Sequence, residues 1–329
     1  MKTLTEKATQ GNPAGDSVGL PVKKIKKKRN GMQKSEDRQL LLLCLPALIK
    51  VFVFSYLPLI GLVMAFQFYI PRRGLFASTW MGLANFDYLF KSSIASRLIT
   101  NAIAINLLGI AFGTIFSLLL GLFLFEITNK LFLKISQTVI IFPYFVSWPL
   151  VGVLVAAFLG EDTGMLTSVL HSLFGVEIDF YAQPKYWWGI ITISNVWKTA
   201  GLSAVVYYAI LTGTDRSTYE AAAIDGAGRF KQMWYLSLPA LKLMIILNII
   251  MSSANILKVD LNMVYFVSNN AAALYPRTDV IETYMFRALR TEGDYSIGTA
   301  TGLVQGVVGL ALTIITNKVC QKVSHESLY

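Results

Sequence analysis

The chain has 329 residues, of which 54% are hydrophobic and only 15% charged, with a mean hydropathy of +0.55 and a formal net charge of +10. Soluble domains run at roughly 45–50% apolar and about 25% charged, so a water-soluble globular protein is excluded and lipid is the expected solvent. The positive charge crowds the start, on Lys23, Lys24, Lys26, Lys27, Lys28, Arg29, Lys34 and Arg38, where it reads as a topological anchor against anionic lipid rather than a nucleic-acid site.

Taken in chain order, residues 1–38 form a basic tail whose first 20 residues carry too few large apolar side chains to fold. No removable signal peptide is expected ahead of the first span. A spanning helix needs about 20 mostly apolar residues, and runs of that kind occur near 40–70, 98–125, 136–159, 187–212, 241–258 and 297–317. The expectation is an all-α membrane protein with six transmembrane helices. Pro46, Lys50 and Pro58 make the first span kinked or partly re-entrant. Residues 39–97 hold that span and an outside loop with Trp80 to Phe86; residues 98–318 form the core transmembrane domain, and 319–329 a C-terminal tail.

The second outside loop, 160–186, is locally acidic through Glu161, Asp162, Glu177 and Asp179, and Tyr186, Trp187 and Trp188 behind it read as interface anchors. With the N-terminus in the cytoplasm, Lys and Arg divide 18 inside against 9 outside, with Lys50 and Lys198 within spans. The positive-inside rule therefore places both termini and the polar loop 215–239 in the cytoplasm. Cys44 and Cys320 are expected to stay unpaired, and neither they nor His171 and His325 form a metal cluster. No phosphate-binding glycine loop, metalloprotease motif or nucleophile elbow occurs. No catalytic residue, cofactor or metal is therefore assigned to the chain.

Loop 215–239 is the most informative segment. Ser217 and Glu220 fit a capping box that would start a helix. Ala223, Ala227, Phe230 and Trp234 recur at helical spacing as one apolar stripe for packing under the spans. Gly226 and Gly228 need either a helix break or a close approach by another surface. Leu238 before Pro239 is expected to leave helical geometry, with Pro239 opening the fifth span.

The run Glu220-Ala-Ala-Ala-Ile-Asp-Gly226, followed by Leu236-Ser-Leu-Pro239, resembles the EAA loop of permease subunits from binding-protein-dependent ABC importers. Leu236 stands where isoleucine is commoner, a change that keeps volume and polarity. The likeness covers nearly the whole chain after the tail. It lies in the carbohydrate-importing branch related to maltose-type permeases, in the LplB-type polysaccharide and oligosaccharide subgroup that includes alginate-importer permeases. Tyr56 to Gly61, Trp80 to Phe86, Asp279 to Tyr284, Gly293 to Ser296 and Thr316-Asn317 support it.

The resemblance implies a type I importer fold whose loop is a coupling helix. Glu220, Ala221, Ala222, Asp225, Gly226, Ala227, Arg229 and Pro239 would dock an ATP-hydrolysing subunit, with ATP and Mg held by that partner. It further implies a second homologous permease, two cytoplasmic ATPases, an extracytoplasmic solute-binding protein and a saccharide substrate, all at a bacterial cytoplasmic membrane.

By the same resemblance, the fourth and fifth spans contribute sugar-contacting side chains, matched here by Asn195, Lys198, Thr199, Ser252, Ser253 and Asn255. An ionisable group within a span is a functional-site candidate by default, and Lys198 lies about 16 Å along the fourth span from Trp187. It either lines the pathway or pairs with a carboxylate of a partner permease. Ser252, Ser253 and Asn255 either touch sugar or hydrogen-bond between helices. Tyr144 and Trp148 either stack on sugar or pack in the core. The competing class is an ion-coupled transporter or channel, which would need intramembrane acids that the spans almost lack.

Overall fold

The computed structural model describes residues 31–160, 164–175 and 177–324. The basic residues Lys23 to Arg29, the acidic pair Glu161 and Asp162, and His325 lie outside these. The chain divides into two units at Pro58. In the first, helix α1 (Gly31–Val51) begins upstream of the expected boundary at 39 and carries Pro46 inside it. Regular α geometry then gives way to a π-turn, Phe52–Tyr56, and a 3-10 run, Leu57–Phe66. Wider and tighter turns accommodate the amide N–H that Pro58 lacks. No side chain from Gln39 to Ile60 is buried, as suits an apolar helix solvated by lipid.

Along with shorter helices including Ala84–Lys91 and Met165–Phe174, the second unit contains the helices that build the bundle and its connector. These are α2 (Ser93–Glu126), α3 (Lys130–Phe145), α4 (Trp148–Leu159), α5 (Trp187–Thr212), α6 (Arg216–Ile224), α7 (Leu238–Ala254), α8 (Leu261–Val267), α9 (Ile281–Arg287) and α10 (Tyr295–Ser324). One departure from an all-helical chain is a two-stranded antiparallel ribbon pairing Gln67 with Trp80 and Phe68 with Thr79. Asn85 ties the ribbon down, its amide donating to the carbonyls of Ala65 and Gln67.

Each of the six expected spans coincides with a helix or helix pair. By length and composition, four helices among the described residues suit a bilayer, and α3 with α4 makes a fifth if the pair, bent by 97°, is one span. Helix α5 has 26 residues, a length of about 39 Å, but falls short of that apolarity because Asn195, Lys198 and Thr199 sit within it. The expected count of six thus rests on a helix that composition alone would not select.

Helix α5 is the centre of the unit, packed on α2 along much of its length and on α3. The approach to α3 is close enough that a Cβ on Gly201 would lie 1.8 Å from the Ile140 carbonyl oxygen, so only glycine fits. Trp187 is 0% exposed and donates from Nε1 to the Phe180 carbonyl at 2.7 Å. Trp188 donates to Asn101 Oδ1 and lies under the Arg277 guanidinium. Trp187 is therefore a packing element rather than the interface anchor expected, because Phe180 and Tyr181 fold back over it.

Between α8 and α10 the chain is organised by one carboxylate. Asp279 is fully buried and accepts from Arg97 at 3.0 Å, from Arg287 at 2.9 and 3.2 Å, and from the Thr283 hydroxyl at 3.0 Å. Its own carbonyl accepts from Asn101 at 2.9 Å. The motif Asp279 to Tyr284 is therefore a structural hub that fastens α9 to α2. Replacing Asp279 with Ala leaves Arg97 without its ion-pair partner and Arg287 with Glu292 alone, at 3.6 Å, and is expected to cost about 3 kcal/mol, read as a lowered melting temperature of the detergent-solubilised protein, with Asp279→Asn intermediate.

Candidate functional site: a connector and a polar cavity

The loop joining α5 to α7 is built as a short, independently capped helix. Asp215 is the N-cap of α6, its side chain accepting from the Ser217 amide at 3.0 Å. That hydrogen bond holds the Asp215 carboxyl below the usual carboxylate range. The expected capping box on Ser217 and Glu220 is not formed, since an aspartate two residues earlier already satisfies the first free amide. Glu220 is left exposed.

At the other end Gly226 has φ +77°, the left-handed conformation in which a side chain is strained. The Ala227 amide donates to the Ala222 carbonyl at 2.9 Å and the Gly226 amide to Ala223 at 3.1 Å. This is the Schellman arrangement that closes a helix. Of the two expectations for Gly226, the break is what its backbone requires, while a Cβ there would meet nothing of this chain within 4 Å. Gly228, with φ −64° and ψ 164°, has ordinary extended geometry.

The bend expected at Leu238 and Pro239 lies instead at Asp225 to Gly228. Leu238 is helical, with φ −65° and ψ −45°, and one apolar helical stretch runs from Arg229 to Ala254. The π-turn Met233–Ser237 widens the helix just ahead of Pro239, whose ring would clash with a regular preceding turn.

The expected apolar stripe is also turned. Ala223, Phe230 and Trp234 are exposed. The connector is held to the bundle by Tyr219, whose ring lies 5.4 Å from that of Phe125 and whose hydroxyl is 3.1 Å from Ser237 Oγ. Arg229 adds an ion pair with Glu126 at 3.6 Å. On the free side, Glu220, Ala221, Asp225 and Gly226 are exposed beside Ile224 at 87% and Phe230 at 76% exposure, with Ala222 and Ala227 half-buried. Pro239 is also exposed but sits a full π-turn along the next helix. Large apolar side chains raised on a polar connector mark an interaction surface.

The second feature is a cavity of about 420 Å³ between α2, α5 and α7. It gathers Asn195, Thr199, Ser252 and Asn255 from the expected pathway, together with Asn106, Asn248 and Lys258. Polar side chains converging on a concave site of this size suit a small polar ligand or a segment of a longer one. Ser253 is not part of it and donates to the Ile249 carbonyl of its own helix at 2.7 Å.

Residues 109–325 match the family model described as the binding-protein-dependent transport system inner membrane component. The chain belongs to this family of ABC importer permeases. It is 33% identical over 329 residues to the polygalacturonan/rhamnogalacturonan transport system permease protein YteP of Bacillus subtilis (strain 168), covering 100% of both chains. Against protein LplB of the same organism it is 33% identical over 293 residues, covering 89% of this chain and 92% of that one. Its structure superposes on a chain of a bacterial alginate ABC transporter, crystallised with an alginate pentasaccharide-bound periplasmic protein. That match has a TM-score of 0.80 at 30% identity and covers 90% of this chain and 99% of the other. The type I permease fold follows from these matches, and nothing favours the ion-coupled alternative.

Lys198, Tyr144 and Trp148 form a group apart from the cavity. Lys198 Nζ donates to the carbonyls of Tyr144, at 2.6 Å, and of Val146. It also lies over the rings of Tyr144 and Trp148 at 5.5 and 5.4 Å, while Trp148 Nε1 donates to Asp260 at 2.8 Å. The ammonium thus satisfies carbonyls freed where α3 and α4 are bent apart. The sequence shows the charge and the flanking Pro143 and Pro149, but not that Lys198, 54 residues beyond Tyr144, serves the break between them. Removing the donor by Lys198→Met leaves two carbonyls short of a partner and is expected to destabilise the folded chain by about 1–3 kcal/mol. Thermal unfolding in detergent measures that loss, and an unchanged KM for transported substrate accompanies it.

Proposed function

We propose that this chain is one of two homologous permease subunits of an ATP-driven importer of oligo- or polysaccharides in a bacterial cytoplasmic membrane. The names of YteP and of the alginate transporter support the saccharide class. A solute-binding protein delivers the substrate at the outer face, and both termini of this chain and the α5–α7 connector face the cytoplasm. Two ATPase subunits bind ATP and Mg there. Asn195, Thr199, Ser252 and Asn255 line this subunit's share of the pathway.

The observation that carries the proposal is the connector: a short helix closed at both ends by its own residues, anchored by Tyr219 and Arg229, with Glu220, Ile224, Asp225 and Gly226 left outward. A rigid handle of this kind can be gripped and moved as a body. ATP-driven closure of the gripping subunits then shifts α5 and α7 through it, and the cavity between those helices changes the side to which it opens.

The complex of this chain with its second permease, ATPases and binding protein, reconstituted in liposomes, is expected to take up oligosaccharide only with ATP inside. Gly226→Val forces a branched side chain into left-handed geometry, a strain of about 1–3 kcal/mol. It is expected to cut ATP-coupled uptake about tenfold or more, by the 1.4 kcal/mol that corresponds to a factor of ten. Gly228→Ala, at an ordinary backbone position, is expected to transport normally. Undiminished uptake by Gly226→Val would remove the docking role.

A further inference from the structure

The cavity's charge inventory is lopsided. Its lining contains four asparagines, six hydroxyl side chains and a single ionisable group other than tyrosine, Lys258, with no carboxylate. Asparagine amides both donate and accept, and hydroxyls do the same, so they match sugar hydroxyls of any kind. An ammonium only donates. A lone ammonium among neutral polar groups is the part of this surface that discriminates by charge.

Lys258 is also held in place more firmly than a surface lysine. The short turn that carries it, after α7, has its backbone groups taken by side chains from three other helices. Asn106 of α2 donates to the Ile256 and Lys258 carbonyls at 2.8 and 3.2 Å. Gln305 of α10 donates to the Leu257 carbonyl at 2.9 Å, and Glu282 of α9 accepts from the Val259 amide at 3.0 Å. Gln305 and Glu282 are themselves joined at 2.7 Å. A turn fixed at four consecutive residues sets the root of its side chain before any ligand arrives.

Glu282 attracts Lys258 electrostatically, but it does not line the cavity. Its Oε1 is occupied by the Val259 amide and Gln305. Among the described residues no carboxylate lies within ion-pair distance of the Lys258 ammonium, which is exposed.

We propose that Lys258 is a specificity-determining residue that reads a carboxylate on the passing saccharide, so that this permease favours uronic-acid oligosaccharides over neutral ones. The proposal rests on the importer reading above and adds the charge class of its substrate. The asparagines and hydroxyls hold the sugar ring without regard to charge, and Lys258 supplies a charge-assisted hydrogen bond that a neutral sugar cannot use.

The test uses the complete reconstituted importer with two probe pairs, oligogalacturonate and oligoalginate, each against its carboxyl-reduced neutral counterpart. For the wild type, uptake of at least one acidic probe is expected to exceed that of its neutral partner. Lys258→Gln is expected to raise KM for that acidic probe about tenfold, and more than for its neutral counterpart. Lys258→Arg is expected to restore uptake. Co-purification of the partner subunits with each variant reports assembly.

Equal wild-type uptake of acidic and neutral probes would overturn the proposal, as would equal loss of both in Lys258→Gln or no loss at all. Failure of the wild type to move any of the four would instead overturn the saccharide reading beneath it.

Discussion

In a bilayer core, backbone N–H and C=O groups have no water to turn to, so any departure from a regular helix must be satisfied by the protein itself. That constraint organises this chain. Where α3 and α4 part by 97°, Lys198 supplies the missing donor. Where α7 ends, Asn106, Gln305 and Glu282 take up the carbonyls and amide of residues 256–259. Where α6 ends, the chain closes on itself through Gly226. The first two breaks are held by groups drawn from elsewhere in the chain and the third by its own backbone.

This gives the second unit two kinds of rigidity. The segment around Asp279 is locked by charge, with Arg97 and Arg287 converging on one buried carboxylate. Breaking such a group costs more than making it contributes, since the stranded charge remains in place. The connector is locked by short-range geometry instead: an aspartate cap, a glycine turn and one tyrosine beneath. Its Ile224 and Phe230 are left exposed by this chain, the surface on which the proposed docking rests. The polar cavity is lined by the helices at either end of that connector, together with α2, which is why the proposal couples the two.

Much of this was legible in the residues. Five of the six expected spans follow from runs of apolar side chains long enough for lipid, counting the bent pair α3 and α4 as one, while α5 falls short of that apolarity. The family resemblance follows from the spacing of Glu220, Ala221, Gly226 and Pro239. Asn195, Thr199, Ser252 and Asn255 were recognisable as polar groups on apolar helices, and the cavity brings these four together. The readings that needed correction share a cause. Ser217 lost the cap to Asp215, the stripe of Ala223, Phe230 and Trp234 faces outward, and Trp187 is interior. In each case the sequence pattern allowed two placements and packing chose between them.

Composition determined that the chain has helices apolar enough to cross a membrane, and located all of the expected spans but α5, because burial in lipid is a property of each segment alone. The EAA spacing determined which segment interrupts the spans, since its glycine and alanines are local requirements of a short closed helix. Only the tertiary structure decided that Lys198 serves a helix break while Lys258 faces the cavity. Two lysines of the same chemistry differ there solely in which carbonyls, helices and open space the fold sets around them.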